Sequence, residues 1–238
     1  MGVVSGLGIR RHWKAWTVGV VVAAVVLVVG VPFAYIHLFN SGQPAALTLD
    51  SGTAGSSVGA TVPTDGSWRI AQDGRTTTGY RVHEVLAGQS TTAVGRTSSV
   101  TGGVAVSGSA VTSGSFTADL KTVTSDKSQR DAQFQGRIMQ TAQYPTATFA
   151  LTRPIDLGAT PVVGRTYTAQ ATGNLTLHGT TKPVTFAVRA VRTGNTITVQ
   201  GSIPVVFADY GISSPSFGSF VKVDPNGTLE FLLDLKHS

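Results

Sequence analysis

Apolar and polar side chains alternate with a period of two along most of the chain from Ser67 onward. In the clearest run, residues 167–177, the odd positions are Tyr, Ala, Ala, Gly, Leu and Leu, and the even positions are Thr, Gln, Thr, Asn and Thr. Because successive side chains of a strand point to opposite faces, each such run predicts a strand with one apolar face. Similar runs surround Phe116, Phe149, Phe186, Ile197 and Phe231. Two dipeptides predict hairpin turns, Gly194-Asn195 and Asn226-Gly227. The pattern therefore predicts an antiparallel all-β domain.

One segment departs from this period. Between residues 125 and 142, Phe134, Ile138 and Ala142 recur at helical spacing, and the Tyr144-Pro145 step prevents the helix from continuing. A short helix inserted into an antiparallel meander suits a closed barrel better than a two-sheet sandwich. If about eight strands close, the interior is just wide enough for side chains or for one slim ligand. The sequence leaves open whether that interior is filled or hollow.

A second departure lies near the N-terminus. No residue between Lys14 and Asp50 carries a formal charge, and residues 17–39 are almost wholly apolar. As a helix they would span about 34 Å at about 1.5 Å per residue, enough to cross a hydrocarbon core of about 30 Å. We therefore predict a transmembrane signal-anchor helix over residues 16–39.

The basic residues on the two sides of this segment predict its orientation. Arg10, Arg11 and Lys14 precede it, and no Lys or Arg follows until Arg69. By the positive-inside rule the N-terminus is cytoplasmic and the C-terminal domain is extracytoplasmic, held at the cell membrane by a single span. A cleaved signal peptide is the alternative, since a basic start and an apolar stretch fit it too. No small-x-small cleavage site follows directly after Val31, which favours a retained anchor.

The chain thus divides into four predicted segments. Residues 1–15 form a cytoplasmic stub, 16–39 the anchor, 40–66 a flexible linker and 67–238 the barrel domain. The linker is assigned because it consists mainly of Gly, Ser, Thr, Ala and Pro, which bury too little apolar area to offset the entropy of ordering. The alternative is a loosely packed extension along the barrel.

Composition removes several classes of function. The chain has no Cys, so it has no disulfides, no thiolate metal site and no site for lipoprotein acylation. All but three of its 18 basic residues lie beyond the apolar segment, together with all 12 acidic residues. The basic residues are scattered singly, whereas nucleic-acid binding requires clusters, so we expect no nucleic-acid partner. A mildly basic domain is expected to be attracted weakly to an anionic membrane surface.

Side chains suited to catalysis are few. No two of the five His share a metal-ligand spacing, and neither a Gly-x-Ser-x-Gly elbow nor a phosphate-binding loop is present. We therefore expect neither an enzyme nor a metal site. Two alternatives stay open: a barrel with a structural or protein-partner role, and a small isomerase or cyclase in which Glu84 is the acid or base in an apolar cavity.

Three groups of residues, in order along the chain, carry a family resemblance. The first comprises Arg130-Asp131, Phe134, Ile138-Met139, Tyr144-Pro145 and Phe149; the second is the run GNLTLHGTTKPV at 173–184; the third is Asp209-Tyr210-Gly211-Ile212, with Val94-Gly95 upstream. Over residues 67–236 the chain resembles the YceI-like family of extracytoplasmic polyisoprenoid-binding proteins, in a membrane-anchored branch.

The resemblance implies a lipocalin-like antiparallel barrel whose apolar tunnel holds an isoprenoid-type lipid or a quinone-like molecule, with no other cofactor, for storage or transport. It also allows a homodimer. The family commonly has His on an early strand, after an aromatic-x-apolar pattern. Aligning Tyr80 and Val82 with that pattern puts Glu84 in its place, with His83 one residue early. A one-residue shift changes the face of the strand, so His83 is not assigned this role.

The candidate site residues follow from the resemblance and the strand period. The candidates for the tunnel or its mouth are Phe116, Phe134, Ile138, Met139, Tyr144, Phe149, Phe186, Tyr210 and Phe231, and those for the head group are Glu84, Arg130 and His178. Each has a structural alternative. Phe134, Ile138 and Met139 suit plain core packing, Arg130 with Asp131 suits a helix-start pair, and His178 suits a hydrogen bond that shapes a turn.

Overall fold

The computed structural model describes residues 43–49, 62–86, 88–214 and 221–238, and its regular structure is almost entirely β. The strands are β1 (Gly66–Ile70), β2 (Thr77–Leu86), β3 (Gln89–Thr97), β4 (Val100–Ser107), β5 (Ala110–Asp119), β6 (Thr146–Leu151), β7 (Ile155–Asp156), β8 (Thr166–Leu177), β9 (Thr180–Thr193), β10 (Thr196–Val206), β11 (Val221–Val223) and β12 (Asn226–His237). One short helix, α1 (Ser128–Gln133), continues into a π-helical turn at Phe134–Ile138. Short 3₁₀ turns lie at Leu120–Thr122 and Phe207–Tyr210.

Eight strands close into an antiparallel barrel, in the order β1-β4-β5-β6-β8-β9-β10-β12 and back to β1. Strand β12 is shared: its residues 235–237 pair with β1, and its residues 228–232 pair with β2, which carries β3 and β11. The two ends of the barrel are therefore closed by different strands. The predicted all-β barrel with one short helix is confirmed.

The side-chain period sets which residues face inward. In β8, Tyr167, Ala171, Leu175 and Leu177 are buried, while Thr168, Gln170 and Asn174 are exposed, as the alternation predicts. The turn at Gly194-Asn195 joins β9 to β10, and Gly194 adopts the positive φ of 57° that such turns need.

The second predicted hairpin, at Asn226-Gly227, is wrong. Both residues lie inside β12 and pair with Val206 and Val205 of β10. Strands β11 and β12 follow one another along β2 instead of folding back on each other. Gly227 is a site of close approach: a Cβ there would lie 2.8 Å from Cγ2 of Val82.

The helix is shorter than the interval 125–142. No side chain caps it at Lys127; instead, Asp131 Oδ1 accepts hydrogen bonds from the backbone N–H and the hydroxyl of Ser125, at 2.8 and 2.6 Å. Asp126 and Arg130 form an i,i+4 ion pair. Together these contacts fix the start of the helix.

Part of the predicted linker is bound to the barrel. Within residues 43–49, the N–H of Leu47 donates to Glu230 (3.2 Å), its carbonyl accepts from Gln200 (3.2 Å), and the carbonyl of Pro44 accepts from Arg81 (2.8 Å). For this part the flexible-linker prediction is wrong and the extension along the barrel is right. The reason is that polar side chains on the outside of the barrel hydrogen-bond to the backbone of the segment.

The predicted cytoplasmic stub (1–15), the transmembrane helix (16–39) and the linker residues 40–42 and 50–61 lie outside the described residues. Within the ranges that the structure describes, no helix is long and apolar enough to cross a membrane.

Candidate functional site

The interior of the barrel is hollow. It contains a cavity of about 190 Å³, here the barrel cavity, and a second of about 170 Å³ beneath α1, here the helix-side cavity. The two adjoin, since both are lined by Thr78, Ala118, Ala147 and Leu229. Each is larger than the apolar cavity of about 150 Å³ that holds a benzene molecule. The fold therefore offers an elongated apolar space.

Aromatic rings form much of the wall of the barrel cavity. Phe116, Phe149, Phe186 and Phe231, which the strand period placed inside, all line it. Phe186 makes edge contacts with Phe149 (centroids 5.2 Å apart) and Phe231 (5.9 Å). Edge-to-face packing of this kind holds the rings in place against one another.

Glycines that face the aromatic rings allow the rings to lie flat against the wall. Gly201 lies opposite Phe231, and a Cβ on Gly201 would meet the Phe231 ring at 2.5 Å; the corresponding distance from Gly173 to the Phe149 ring is 2.4 Å. The Tyr80 ring covers Gly95 in the same way, and a Cβ on Gly95 would lie 2.3 Å from the ring. Each glycine removes the side chain that would push the ring into the lumen, so the aromatic wall and the hollow interior coexist.

The helix-side cavity is mostly apolar but holds two charged groups. Phe134, Ile138 and Met139 line it from the helix, and they also pack in the main core. The ring of Phe134 stacks on Tyr80, with centroids 5.0 Å apart. Glu84 and Arg130 are the charged residues of the lining.

Arg130 lies between two carboxylates. Its Nη2 donates to Glu84 Oε1 at 3.0 Å, and its Nη1 donates to Asp126 Oδ1. Arg130 is thus held in structural ion pairs rather than left as a free clamp for a lipid phosphate. Its partners are Glu84 and Asp126, whereas the predicted partner, Asp131, accepts from Ser125. Burial is the main cause that raises the pKa of Tyr80 well above its usual range; Arg130 opposes the rise, and the nearby carboxylates add to it, so the hydroxyl stays protonated.

The neighbouring histidine faces away. His83 lies on the outer surface, where its ring contacts Ser90 Oγ (2.7 Å) and Asp224 (3.2 Å). Glu84, one residue later, is buried and faces the cavity. The alternation of side chains along β2 therefore puts His83 and Glu84 on opposite faces, as the sequence predicted.

Three sequence candidates do not line either cavity. His178 occupies the β8–β9 turn with φ of 50°, and its Nδ1 lies 3.2 Å from the carbonyl of Tyr210. The Tyr144 ring packs on His178 with centroids 4.5 Å apart, and Tyr210 is buried in the core behind the wall. The assignment of Tyr144, Tyr210 and His178 to the tunnel or the head group is corrected: they fix the turn, because a hairpin end is directed away from the lumen.

The residues at the far end of the barrel cavity were not among the candidates predicted from sequence. Arg192 lines it, with its guanidinium 5.3 Å from the centre of the buried Trp68 ring. Arg192 donates to the carbonyls of Gly194 and Val62 and to Thr64 Oγ1, which holds the segment 62–64 across this end. The available signal was Arg192 itself, a charged residue at an inward position of β9.

The described residues hold no group of three or more His, Cys, Asp or Glu that could bind a metal ion. What they hold is an apolar tube with polar groups near each end. Such a site can bind a slim apolar molecule and can orient one that carries a polar end.

Known proteins resemble this chain in sequence and in fold. The YceI-like domain family matches residues 68–235 of the chain. Among solved structures, a polyisoprenoid binding domain from Saccharophagus degradans implicated in plant cell wall breakdown superimposes with a TM-score of 0.59 at 19% identity, covering 72% of this chain and 98% of that one. BcnA from Burkholderia cenocepacia superimposes with a TM-score of 0.49 at 20% identity, covering 65% of this chain and 95% of that one. A YCEI protein from Campylobacter jejuni superimposes with a TM-score of 0.46 at 13% identity, covering 60% of this chain and 84% of that one. Comparison with the curated proteins found no match.

Proposed function

Because this chain belongs to the YceI-like family, we propose that its barrel binds an isoprenoid-type lipid non-covalently and reversibly. The observation that carries the proposal is the pair of adjoining apolar cavities. Burial of each CH₂ group contributes about 0.8 kcal/mol, so a chain that fills only part of this space gains useful affinity without any polar contact. The S. degradans domain, which has this fold, is a polyisoprenoid binding domain, and this makes the same class of ligand the first to test.

The alternatives are less well supported by the same geometry. A barrel with a purely structural or protein-partner role needs no cavity, and a filled interior would be more stable. A small isomerase or cyclase would use Glu84, but the Glu84 carboxylate is paired with Arg130. We therefore favour binding over catalysis.

The direct test is native mass spectrometry of the full chain purified from its own host in mild detergent, followed by lipid extraction. We expect a bound mass that the extraction identifies as an isoprenoid. The same spectra would show whether the chain forms the homodimer that the resemblance allows. A protein that is free of lipid when isolated, and that takes up none when mixed with isoprenoids, would contradict the proposal.

We further propose that the barrel works outside the cell membrane, on a retained anchor at residues 16–39, as a storage or transport protein for a lipid that scarcely enters water. The support is the charge asymmetry around the apolar segment. Sequencing of the N-terminus of the mature protein is expected to find Met1 or a residue close to it. A mature chain that begins within residues 40–66 would show cleavage and contradict the anchor.

A further inference from the structure

The charges around the helix-side cavity are unbalanced. The charged groups that act on the Tyr80 hydroxyl are the Arg130 guanidinium and the carboxylates of Glu84, Asp126 and Asp131. One cation thus faces three anions. Both terminal nitrogens of Arg130 already donate to two of these carboxylates. An incoming phosphate would therefore meet a negative surrounding and a cation whose charge is already compensated.

The Tyr80 hydroxyl is a polar group in the wall of the helix-side cavity. The Tyr80 ring is held between Gly95 of β3 and the Phe134 ring. Its hydroxyl stays protonated, and no hydrogen bond to it is found among the described residues. A fixed phenol of this kind donates one hydrogen bond, which suits a carbonyl or hydroxyl oxygen.

The other end of the tube does not supply the missing anion site. Arg192 is the cation there, but its three nitrogens donate to oxygens of Gly194, Val62 and Thr64, and its face packs on Trp68. Its hydrogen bonds are thus directed to the segment that closes this end of the barrel.

We infer that the helix-side cavity selects a neutral head group that carries an oxygen acceptor, such as a quinone or an alcohol, over a phosphate. The inference rests on the proposed function, since it concerns the head of the same lipid. Under this inference, the carboxylates of Glu84, Asp126 and Asp131 repel the phosphate. The Tyr80 hydroxyl donates a hydrogen bond to the oxygen of the neutral head group. Selection by a repulsive element is a common way to discriminate between ligands that share the same apolar part.

The test compares four probes of matched length on the full chain in detergent, by competition in native mass spectrometry. They are squalene, hexaprenol, a hexaprenyl benzoquinone and hexaprenyl phosphate. We expect the alcohol and the quinone to bind about tenfold or more tightly than the phosphate, because like charges several ångströms apart repel strongly at an effective dielectric constant of about 20. Squalene has no head group, so it reports the apolar tube alone.

Variants separate the two contributions. Glu84→Gln and Asp126→Asn should each improve phosphate binding several-fold and leave squalene unchanged. Tyr80→Phe should remove the advantage of the quinone over squalene. Asp156→Asn, which changes an exposed carboxylate on β7 beside the barrel cavity, is the matched control and should change no preference.

The outcomes are distinguishable. If squalene binds and the phosphate competes as well as the alcohol, the inference is wrong and the proposed function stands. A neutral preference that both carboxylate variants leave unchanged would also overturn it. If none of the four probes binds, squalene included, both the inference and the proposed function fail. Should a variant not fold, the comparison of the four probes on the unmodified chain still decides.

Discussion

Replacing Glu230 by Ala is expected to lower the free energy of unfolding by about 3 kcal/mol. Its side chain is only 5% exposed and accepts hydrogen bonds from Arg96 (2.8 Å), Arg81 (3.4 Å) and the backbone N–H of Leu47 (3.2 Å). Without the carboxylate, two partly buried guanidinium groups lose their common counter-charge, and the segment 43–49 loses a backbone partner. Urea unfolding of the full chain in detergent would measure the loss.

The loss should depend on pH in a defined direction. Burial alone would raise the pKa of Glu230, but the hydrogen bonds from Arg96 and Leu47 and the nearby Arg81 outweigh it, so the pKa lies below its usual range. A carboxylate with a lowered pKa contributes its full stability above the pKa of the unfolded chain, about 4.3, and loses it as the pH falls through the lower folded value. The difference between the native chain and Glu230→Ala should therefore be full at pH 7 and shrink below about pH 4.

The matched control is Asp156→Ala, because Asp156 is exposed and its carboxylate accepts a local hydrogen bond from Gly158. We expect it to cost less than about 1 kcal/mol. A Glu230→Ala loss no larger than that of the control would show that the buried cluster does not hold the N-terminal segment to the barrel.

Replacing Gly201 by Ala is expected to reduce the lipid occupancy of the barrel at least tenfold. The new Cβ would lie 2.5 Å from the Phe231 ring and 3.2 Å from the carbonyl of Ala187. The backbone cannot give way easily, because Gly201 pairs with both neighbouring strands. The ring must therefore swing into the barrel cavity and occupy space that the ligand needs. Native mass spectrometry with a saturating isoprenoid would measure the occupancy.

Two further variants make this prediction specific. Ser202→Ala alters the next residue of the same strand, which faces solvent, and should leave the occupancy unchanged. Phe231→Leu combined with Gly201→Ala removes the displaced ring and should restore much of the binding, a coupling that a double-mutant cycle detects. Full occupancy in a folded Gly201→Ala protein would show that the ligand does not use this part of the tube.

The fold was predictable because strand period and parity are local properties of the sequence. They placed Phe116, Phe149, Phe186 and Phe231 inside, and together with the family pattern at Tyr80 and Val82 they put Glu84 rather than His83 on the cavity side. The same local reasoning failed where a residue serves a distant partner. Gly227 has the sequence of a turn, but its glycine is needed for the approach of Val82 on another strand.

The rest of the site was not predictable, because it depends on contacts between residues that are far apart in the sequence. Whether the interior is hollow depends on pairs such as Gly201 with Phe231, which are 30 positions apart and meet only through strand register. The segment 43–49 has the composition of a free linker, and its order comes from Glu230, Gln200 and Arg81 far along the chain. Tyr144, Tyr210 and His178 share motifs with cavity residues, yet the Tyr144 ring and the Tyr210 carbonyl both contact His178 at a hairpin end.

The attachment of residues 43–49 changes the length of tether available to the barrel. On the proposed topology the anchor ends at residue 39, and the first described residue of the segment is Gln43. Four residue steps reach at most about 14 Å at about 3.3–3.6 Å each, whereas a free linker of the predicted length would have a mean reach of about 30 Å. The segment also begins beside Arg96, whose backbone is paired with Thr124 just before α1. A tether that short and attached there would hold the helix end of the barrel within about 14 Å of the outer end of the anchor. The distance that a lipid must travel between bilayer and barrel would then be set by the docked segment.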